Sequence, residues 1–142
     1  MGRCNEKRLP EYIEIVQKGG VKFMSKIAKK KKTLRTKADR LFSIYIRNRD
    51  KFCVRCGKAE NLQCAHIISR AVLVTRYDGD NALTLCPNCH INFAHKNPLL
   101  FSEFIHKRLG EKKYRELIEK GKRIGNLKPD FYEEVINKLN GE

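Results

Sequence analysis

Four cysteines in two Cys-x-x-Cys pairs are the residues whose types and spacing most clearly indicate chemistry. The two pairs are Cys53/Cys56 and Cys86/Cys89. Each pair places two thiolates on one side of a tight turn, and two such turns complete the tetrahedral set of soft ligands that zinc prefers. A site closed by four protein ligands is structural, so the sequence predicts a Cys4 zinc site that contributes to folding and performs no catalysis.

Two histidines and an asparagine lie between or beside these pairs and are candidate site residues. His66 lies in the candidate strand "LQCAHII", Asn81 precedes a second candidate strand, and His90 opens the next helix. Neutral imidazole near pH 7 is a suitable general base and can also bind a metal ion. The residue types alone leave alternatives open: His66 as a buried core residue, Asn81 as a turn residue, and His90 as a zinc ligand or surface residue.

The charge of the chain indicates a polyanionic partner. The net charge is +15, and residues 1–51 hold 16 Lys/Arg against 5 Asp/Glu, which is +11 of that total. A field of this sign attracts polyanions, of which nucleic acid is the commonest inside a cell, and the alternative is a solubilising surface or a nonspecific tail. The candidate phosphate-contacting residues are Lys29, Lys30, Lys31, Lys32, Arg35, Lys37, Arg40 and Arg47.

The elements that must position these residues can be read from periodicity. Residues 33–49 predict a helix capped by Thr33, because one apolar stripe recurs at three- and four-residue steps. Two short strands are expected between residues 62 and 84, joined by a long loop with an Asp-Gly turn signal. A helix with Pro87 in its first turn follows, and three further helices lie at 97–110, 111–121 and 129–141.

This order of elements predicts an α+β fold, with a small two-stranded core flanked by N- and C-terminal helices. We divide the chain into a basic N-terminal arm at 1–32, partly disordered or helical, a central domain at 33–121, and a C-terminal helix at 122–142. The four like charges at Lys29–Lys32 repel one another, which is why the arm is set apart.

The motifs "AHIISR", "YDGDNALTLC" and "CPNCH" resemble those of the HNH endonucleases, the ββα-metal superfamily, in its branch with two Cys-x-x-Cys pairs. The longer run over about residues 36–118 is similar to phage recombination nucleases of the NinG/Rap type. The resemblance implies that His66 takes a proton from water, that Asn81 orients the ring and loop of His66, and that His90 binds one Mg²⁺ or Mn²⁺. The implied products carry a 5′ phosphate and a 3′ hydroxyl.

One position departs from the family pattern. Many superfamily members carry Asp or His directly before the strand histidine as a second metal ligand, and here that residue is Ala65. His95 could supply the missing ligand, but it lies about 140° from His90 around an ideal helix, so the helix would have to end or loosen. Asp78 or Asp80 are the alternatives.

Arg70 lies four residues after His66 and could bind a phosphate through its two-pronged guanidinium. Arg76 is a weaker candidate for the same role. The alternative for Arg70 is an ordinary surface charge.

The resemblance implies metal-dependent hydrolysis of DNA phosphodiester bonds, on recombination or branched intermediates in a phage context. The alternative is a non-catalytic, zinc-stapled DNA-binding or recombination accessory protein whose metal site has decayed at Ala65.

Since the sequence has no secretory segment and no run of about 18 apolar residues, we expect an intracellular, cytoplasmic protein without a membrane partner. If the protein is phage-encoded, that cytoplasm is the bacterial host's. Whether it is a monomer or a dimer is left open.

Overall fold

The computed structural model describes residues 12–125, 128 and 130–141, with residues 12–25 described by their backbone alone. Its elements are α1 (Tyr12–Asp50), β1 (Gln63–His66), a 3₁₀ turn (Gly79–Asn81), β2 (Ala82–Leu85), a π-helix (Cys89–His95), α2 (Pro98–Leu109), α3 (Glu111–Gly121) and α4 (Phe131–Asn140). The predicted α+β class is confirmed, because helices surround a two-stranded antiparallel sheet. Over these described ranges, no helix is both long and apolar enough to cross a membrane.

Helix α1 is longer than the sequence predicted. Thr33 does not cap its N-terminus; it lies inside the helix, where its hydroxyl donates to the carbonyl of Lys29 at 3.1 Å. The lysine run does not end the helix, because lysine is a good helix former and these side chains lie in solvent. Helix α1 therefore crosses residue 32, and the division into arm and domain stays a prediction. Residues 1–11 of that arm lie outside the described residues.

The sheet brings the end of β1 beside the start of β2. The register pairs Gln63 with Leu85 and His66 with Ala82. All four residues of β2 are buried, whereas Ala65 is the only buried residue of β1. Strand β2 is covered on both sides, and β1 keeps a partly open side at His66, which suits a functional residue.

Two apolar clusters hold the elements together. Phe42 and Ile46 of α1 pack with Ala82 at one side of the sheet. At the other side, β2 packs against the π-helix and α2 in a cluster that contains Leu83, Leu85, Phe93, Phe101 and Ile105. Helix α4 packs along α1. Burial of these side chains fixes the sheet between the long basic helix and the C-terminal helices.

The three predicted C-terminal helices are present. Pro98 occupies the first turn of α2, and Gly110, with φ of 78°, ends that helix and precedes α3. Asn97 is the N-cap residue of α2, but its side chain does not cap the helix, since its amide donates to the carbonyl of Asn92 at 2.7 Å. Pro129, the predicted start of the last helix, lies outside the described residues.

Candidate active site

The four cysteines of the two pairs form one compact cluster. Their Sγ atoms all lie within 4.8 Å of one another, and those of Cys56 and Cys86 are 3.6 Å apart. A regular tetrahedron with Zn–S bonds of about 2.3 Å has S–S edges of about 3.8 Å. The number, type and spacing of the donors therefore fit a zinc ion, and four protein ligands leave no position open for a substrate.

The ionisation of these thiols also fits a cation at the centre. Burial alone would raise the pKa of Cys53, but backbone N–H groups of Cys86, Cys56 and Arg55 outweigh it and lower the pKa to about 6. For Cys89, burial and the neighbouring Cys56 and Cys86 thiols raise the pKa to about 12. Crowded thiols cannot all ionise alone, and a divalent ion would remove that repulsion.

The cysteine cluster fixes the start of the helix that carries His90. Cys86 directly follows β2, Cys89 is the first residue of the π-helix, and the amide of His90 donates to the Cys86 carbonyl at 2.9 Å. On the other pair, Gly57, with φ of 76°, closes the turn by donating to the Cys53 carbonyl at 2.8 Å. The cluster thus ties the turn after α1 to the start of the π-helix.

A cleft of about 630 Å³ opens beside this cluster. Four residues singled out by the sequence line it: His66, Arg70, His90 and His95. The four zinc-site cysteines do not line it. The structure therefore brings both candidate catalytic histidines, the candidate second metal ligand and the candidate phosphate ligand into one solvent-accessible space.

His66 is half-buried at the end of β1 with one ring nitrogen already occupied. Its Nε2 lies 2.9 Å from the carbonyl oxygen of Arg76, and its ring packs on Phe42 with centroids 5.6 Å apart. A carbonyl only accepts, so Nε2 carries the proton and Nδ1 keeps the basic lone pair. Burial lowers the pKa of His66 below its usual 6.5; the Arg76 carbonyl opposes that shift, and the charges of Arg70 and Arg76 add to it. The ring is therefore neutral near pH 7.

Asn81 is fully buried and does not line the cleft. Its side-chain oxygen accepts from the amide of Ile68 at 2.7 Å, and its nitrogen donates to the carbonyls of Ile68 at 3.1 Å and Thr75 at 2.9 Å. Its backbone carbonyl accepts from Ile67 at 2.9 Å. Asn81 therefore pins the chain that leaves β1 directly after His66, through the backbone of the cleft-lining Ile67 and Ile68, without lining the cleft itself.

His90 and His95 lie side by side because the helix between them is a π-helix. Its i to i+5 bonding, as in the 3.2 Å bond from Lys96 to Ile91, widens the turn, so residues five apart meet. The two ring centroids are 4.8 Å apart. The loosening that a shared metal site would require is thus present in the backbone.

The free nitrogen of His90 can be identified from its partner. Its Nδ1 lies 2.8 Å from the side-chain oxygen of Gln63, so Nδ1 donates and Nε2 is left for a metal ion. Burial lowers the pKa of His90, with smaller contributions from His95 and Arg70, so the ring is neutral. Gln63 is a site residue that sequence reasoning missed, because nothing in the pattern relates it to a side chain 27 positions away.

The two loop aspartates do not join this site. Asp78 pairs with Lys120 and Asp80 pairs with Lys113, on a different cleft. Neither lines the cleft with the histidines. Of the alternatives to Ala65, only His95 lies beside His90.

The candidate DNA-contacting residues lie on α1. Seven of them are exposed, namely Lys29, Lys30, Lys31, Lys32, Arg35, Lys37 and Arg40. Arg47 is different, since it is half-buried and donates to the carbonyls of Ser43 at 3.1 Å and Leu62 at 3.5 Å. Helix α1 therefore presents a long basic surface, and Arg47 is engaged within the fold.

Comparison with known proteins supports one family. The sequence model of the HNH endonuclease family matches residues 53–95, the segment that holds both cysteine pairs, both strands and the π-helix. No curated protein and no solved structure matches the chain. The likeness to NinG/Rap-type nucleases stays a prediction. Residues 53–95 therefore match the HNH endonuclease family and hold four cysteines that fit a zinc site.

Proposed function

We propose that this protein is a metal-dependent DNA endonuclease that hydrolyses phosphodiester bonds in the histidine cleft. The observation that carries the proposal is that His66, Arg70, His90 and His95 line one cleft of the HNH domain. The zinc site beside it serves as scaffold, because its four positions are filled by protein.

His90 and His95 would hold one Mg²⁺ or Mn²⁺, with phosphate oxygens and waters completing its shell. Their rings are adjacent, and Nε2 of His90 is free. When bound, such an ion supplies positive charge to the phosphoryl and leaving oxygens. Since imidazole nitrogen suits transition metals better than magnesium, we expect Mn²⁺ to support cleavage at lower concentration than Mg²⁺.

His66 would act as the general base. Its Nδ1 accepts a proton from the attacking water, the water oxygen bonds to phosphorus, and the bond from phosphorus to the 3′ oxygen breaks. The leaving 3′ oxygen takes a proton from solvent, which gives a 5′ phosphate and a 3′ hydroxyl. The Arg76 carbonyl, bonded to Nε2, stabilises the imidazolium that forms. Arg70 would bind phosphoryl oxygens as their charge grows.

The exposed lysines and arginines of α1 would bind the phosphate backbone. Such contacts give affinity without sequence readout, and they weaken steeply as salt rises. The resemblance of residues 36–118 to phage recombination nucleases extends the proposal to branched or recombination intermediates in a cytoplasmic setting. Comparing cleavage of linear duplex, flap, D-loop and four-way junction DNA tests that extension.

The experiment that tests the function is nicking of supercoiled plasmid with Mn²⁺, Mg²⁺ or EDTA, with DNA affinity measured in parallel. We expect metal-dependent nicks that DNA ligase reseals, since the ends are 5′ phosphate and 3′ hydroxyl. His66→Ala should bind DNA normally and not cleave. Intact plasmid in every divalent metal, with strong DNA binding, would overturn the proposal.

One observation favours the second candidate, a non-catalytic DNA-binding or recombination accessory protein. Ala65 stands where many family members have a metal ligand, and no Asp or Glu is among the described residues that line the cleft. Under this alternative the cleft would hold a divalent ion poorly, and binding would occur without cleavage in the same plasmid experiment.

A further inference from the structure

We infer that Asp39 and Arg76 form a positioning pair that fixes both His66 and Arg70, so that helix α1 controls the geometry of the reaction. The inference rests on the proposed endonuclease function. Asp39 lies outside the matched segment 53–95, so it is a contribution of this chain's N-terminal helix to the HNH domain.

Arg76 connects His66, Arg70 and helix α1. Its backbone carbonyl accepts from Nε2 of His66 at 2.9 Å, and its Nη1 donates to the backbone carbonyl of Arg70 at 2.6 Å. Its Nε and Nη2 bind the two carboxylate oxygens of Asp39 at 2.9 and 2.6 Å. Arg76 thus contacts His66 through its backbone, and Arg70 and Asp39 of α1 through its side chain.

Asp39 holds this side chain in place. The two-pronged, charge-assisted contact defines the orientation of the guanidinium, and the hydroxyl of Tyr77 donates to the same carboxylate at 2.8 Å. The Arg76 side chain is only 11% exposed, so losing Asp39 would leave a nearly buried charge without its partner. Phe42, on the next turn of α1, packs on the His66 ring, so α1 supports the base from two sides.

These contacts exclude the simpler role of Arg76 as a phosphate ligand. Three of its guanidinium nitrogens are committed to Asp39 and to the Arg70 carbonyl, and it does not line the cleft. Asp39 does not line the cleft either. Both residues would therefore act through His66 and Arg70, which makes them positioning residues.

The first test is single-turnover and steady-state cleavage by Asp39→Asn and Arg76→Lys. Asparagine keeps the shape of Asp39 without its charge, and lysine keeps the charge of Arg76 without the two-pronged contact. We expect kcat to fall about 10- to 100-fold with KM unchanged. The double variant should lose no more than the worse single variant, because Asp39 positions the cleft residues through Arg76. Glu119→Gln, which breaks an exposed ion pair with Lys122, is the matched control and should cleave normally.

The second test does not depend on cleavage. Nitrogen-15 NMR of the imidazole rings, assigned with His66→Ala, reports which nitrogen of His66 is protonated and at what pH the ring titrates. The charges that face this ring are Asp39 from α1 and Arg70 and Arg76 from the loop. In Asp39→Asn we expect His66 to lose its single Nε2–H form and to titrate at lower pH. Glu119→Gln should leave both unchanged.

The outcomes separate this inference from the function on which it rests. A wild-type protein that cleaves no DNA overturns the proposed function, while the NMR result still decides the positioning pair. Unchanged His66 spectra in Asp39→Asn, or a raised KM with normal kcat in Arg76→Lys, would overturn the pair. If Asp39→Asn fails to fold, Arg76→Lys is measured instead; the single Nε2–H form of His66 should be lost there, and unchanged His66 spectra would overturn the pair.

Discussion

Cys89 and His90 are neighbours in the chain, yet they belong to two sites of opposite character. Cys89 joins a closed cluster in which three of the four cysteines are buried. His90 faces an open cleft with His66 and the exposed His95. The closed site has the filled coordination of a structural ion, and the open site has room for phosphate and water. Two adjacent residues therefore belong to different sites: Cys89 to the structural cluster and His90 to the proposed catalytic cleft.

The two sites also differ in how they are assembled. Each cysteine pair is a local turn, so its geometry depends on a few residues. The cleft draws His66 from the end of β1, Arg70 from the following loop, and His90 and His95 from the π-helix. Perturbing the first site should unfold the domain, whereas perturbing the second should leave the fold intact and change ion binding, catalysis or DNA affinity.

The largest effect should come from losing zinc. We expect Cys86→Ser to abolish cooperative thermal unfolding, because a structural zinc contributes about 10–16 kcal/mol of apparent binding energy in small zinc-dependent folds. Elemental analysis and circular dichroism measure zinc content and folding together. Cys64→Ala is the matched control and should keep one zinc per chain, since Cys64 is outside the cluster. A Cys86→Ser protein that melts like wild type would show that the cluster is not structural.

Removing the cleft histidines should change ion binding without changing zinc content. We expect His90→Ala to abolish Mn²⁺ binding, and His95→Ala to weaken it about 10- to 100-fold, because the exposed His95 is the less constrained of the two. Calorimetric titration of the zinc-loaded protein with Mn²⁺ measures both. If His90→Ala loses its zinc instead, His90 serves the structural site.

The pH dependence of cleavage should report the burial of His66. Burial lowers its pKa below 6.5, and only the neutral ring can accept a proton. Cleavage should therefore persist where free imidazole is already protonated, and then fall about tenfold per pH unit once pH drops below the lowered pKa. Rates are measured at saturating Mn²⁺, so that His90 stays deprotonated. An acidic limb centred above 6.5 would contradict the assignment.

The smallest effect should come from a single exposed charge on α1. Lys32→Gln should reduce the slope of log affinity against log salt by about one, because one phosphate contact is lost, with kcat unchanged. Fluorescence anisotropy at several salt concentrations measures the slope. Lys122→Gln, whose lysine pairs with Glu119, is the matched control and should keep the wild-type slope. An unchanged slope in Lys32→Gln would show that DNA does not contact α1 at Lys32.

The sequence predicts the locally built cysteine cluster better than the cleft, which is assembled from distant elements. The zinc cysteines and the strands around His66 were predicted, because their signals are local. The predicted start of α1 at Thr33 is wrong, because the repulsion within the lysine run does not prevent a helix that lysine's helix propensity favours. The contact between His90 and His95 could be named only as a possibility, since no periodicity indicates a π-helix.

Long-range polar partners were beyond the sequence. Asp39 and Arg76 are 37 residues apart, and the sequence indicates no pairing between them, since it offers Arg76 only as a weaker candidate phosphate ligand. The pairing of Gln63 with His90 depends on the strand register and on the π-helix together. Such contacts exist only once the fold has formed, so the orientation of the cleft residues could not be derived from pattern.

The most direct test of the account is chemical rescue of His66→Gly. The single-turnover cleavage rate of this variant is measured with Mn²⁺, with and without added imidazole, after its zinc content and DNA affinity have been matched to wild type. We predict a rate about 10²- to 10⁴-fold below wild type that rises with imidazole concentration, while the wild-type rate does not change. A His66→Gly protein that cleaves as fast as wild type without imidazole would contradict the account.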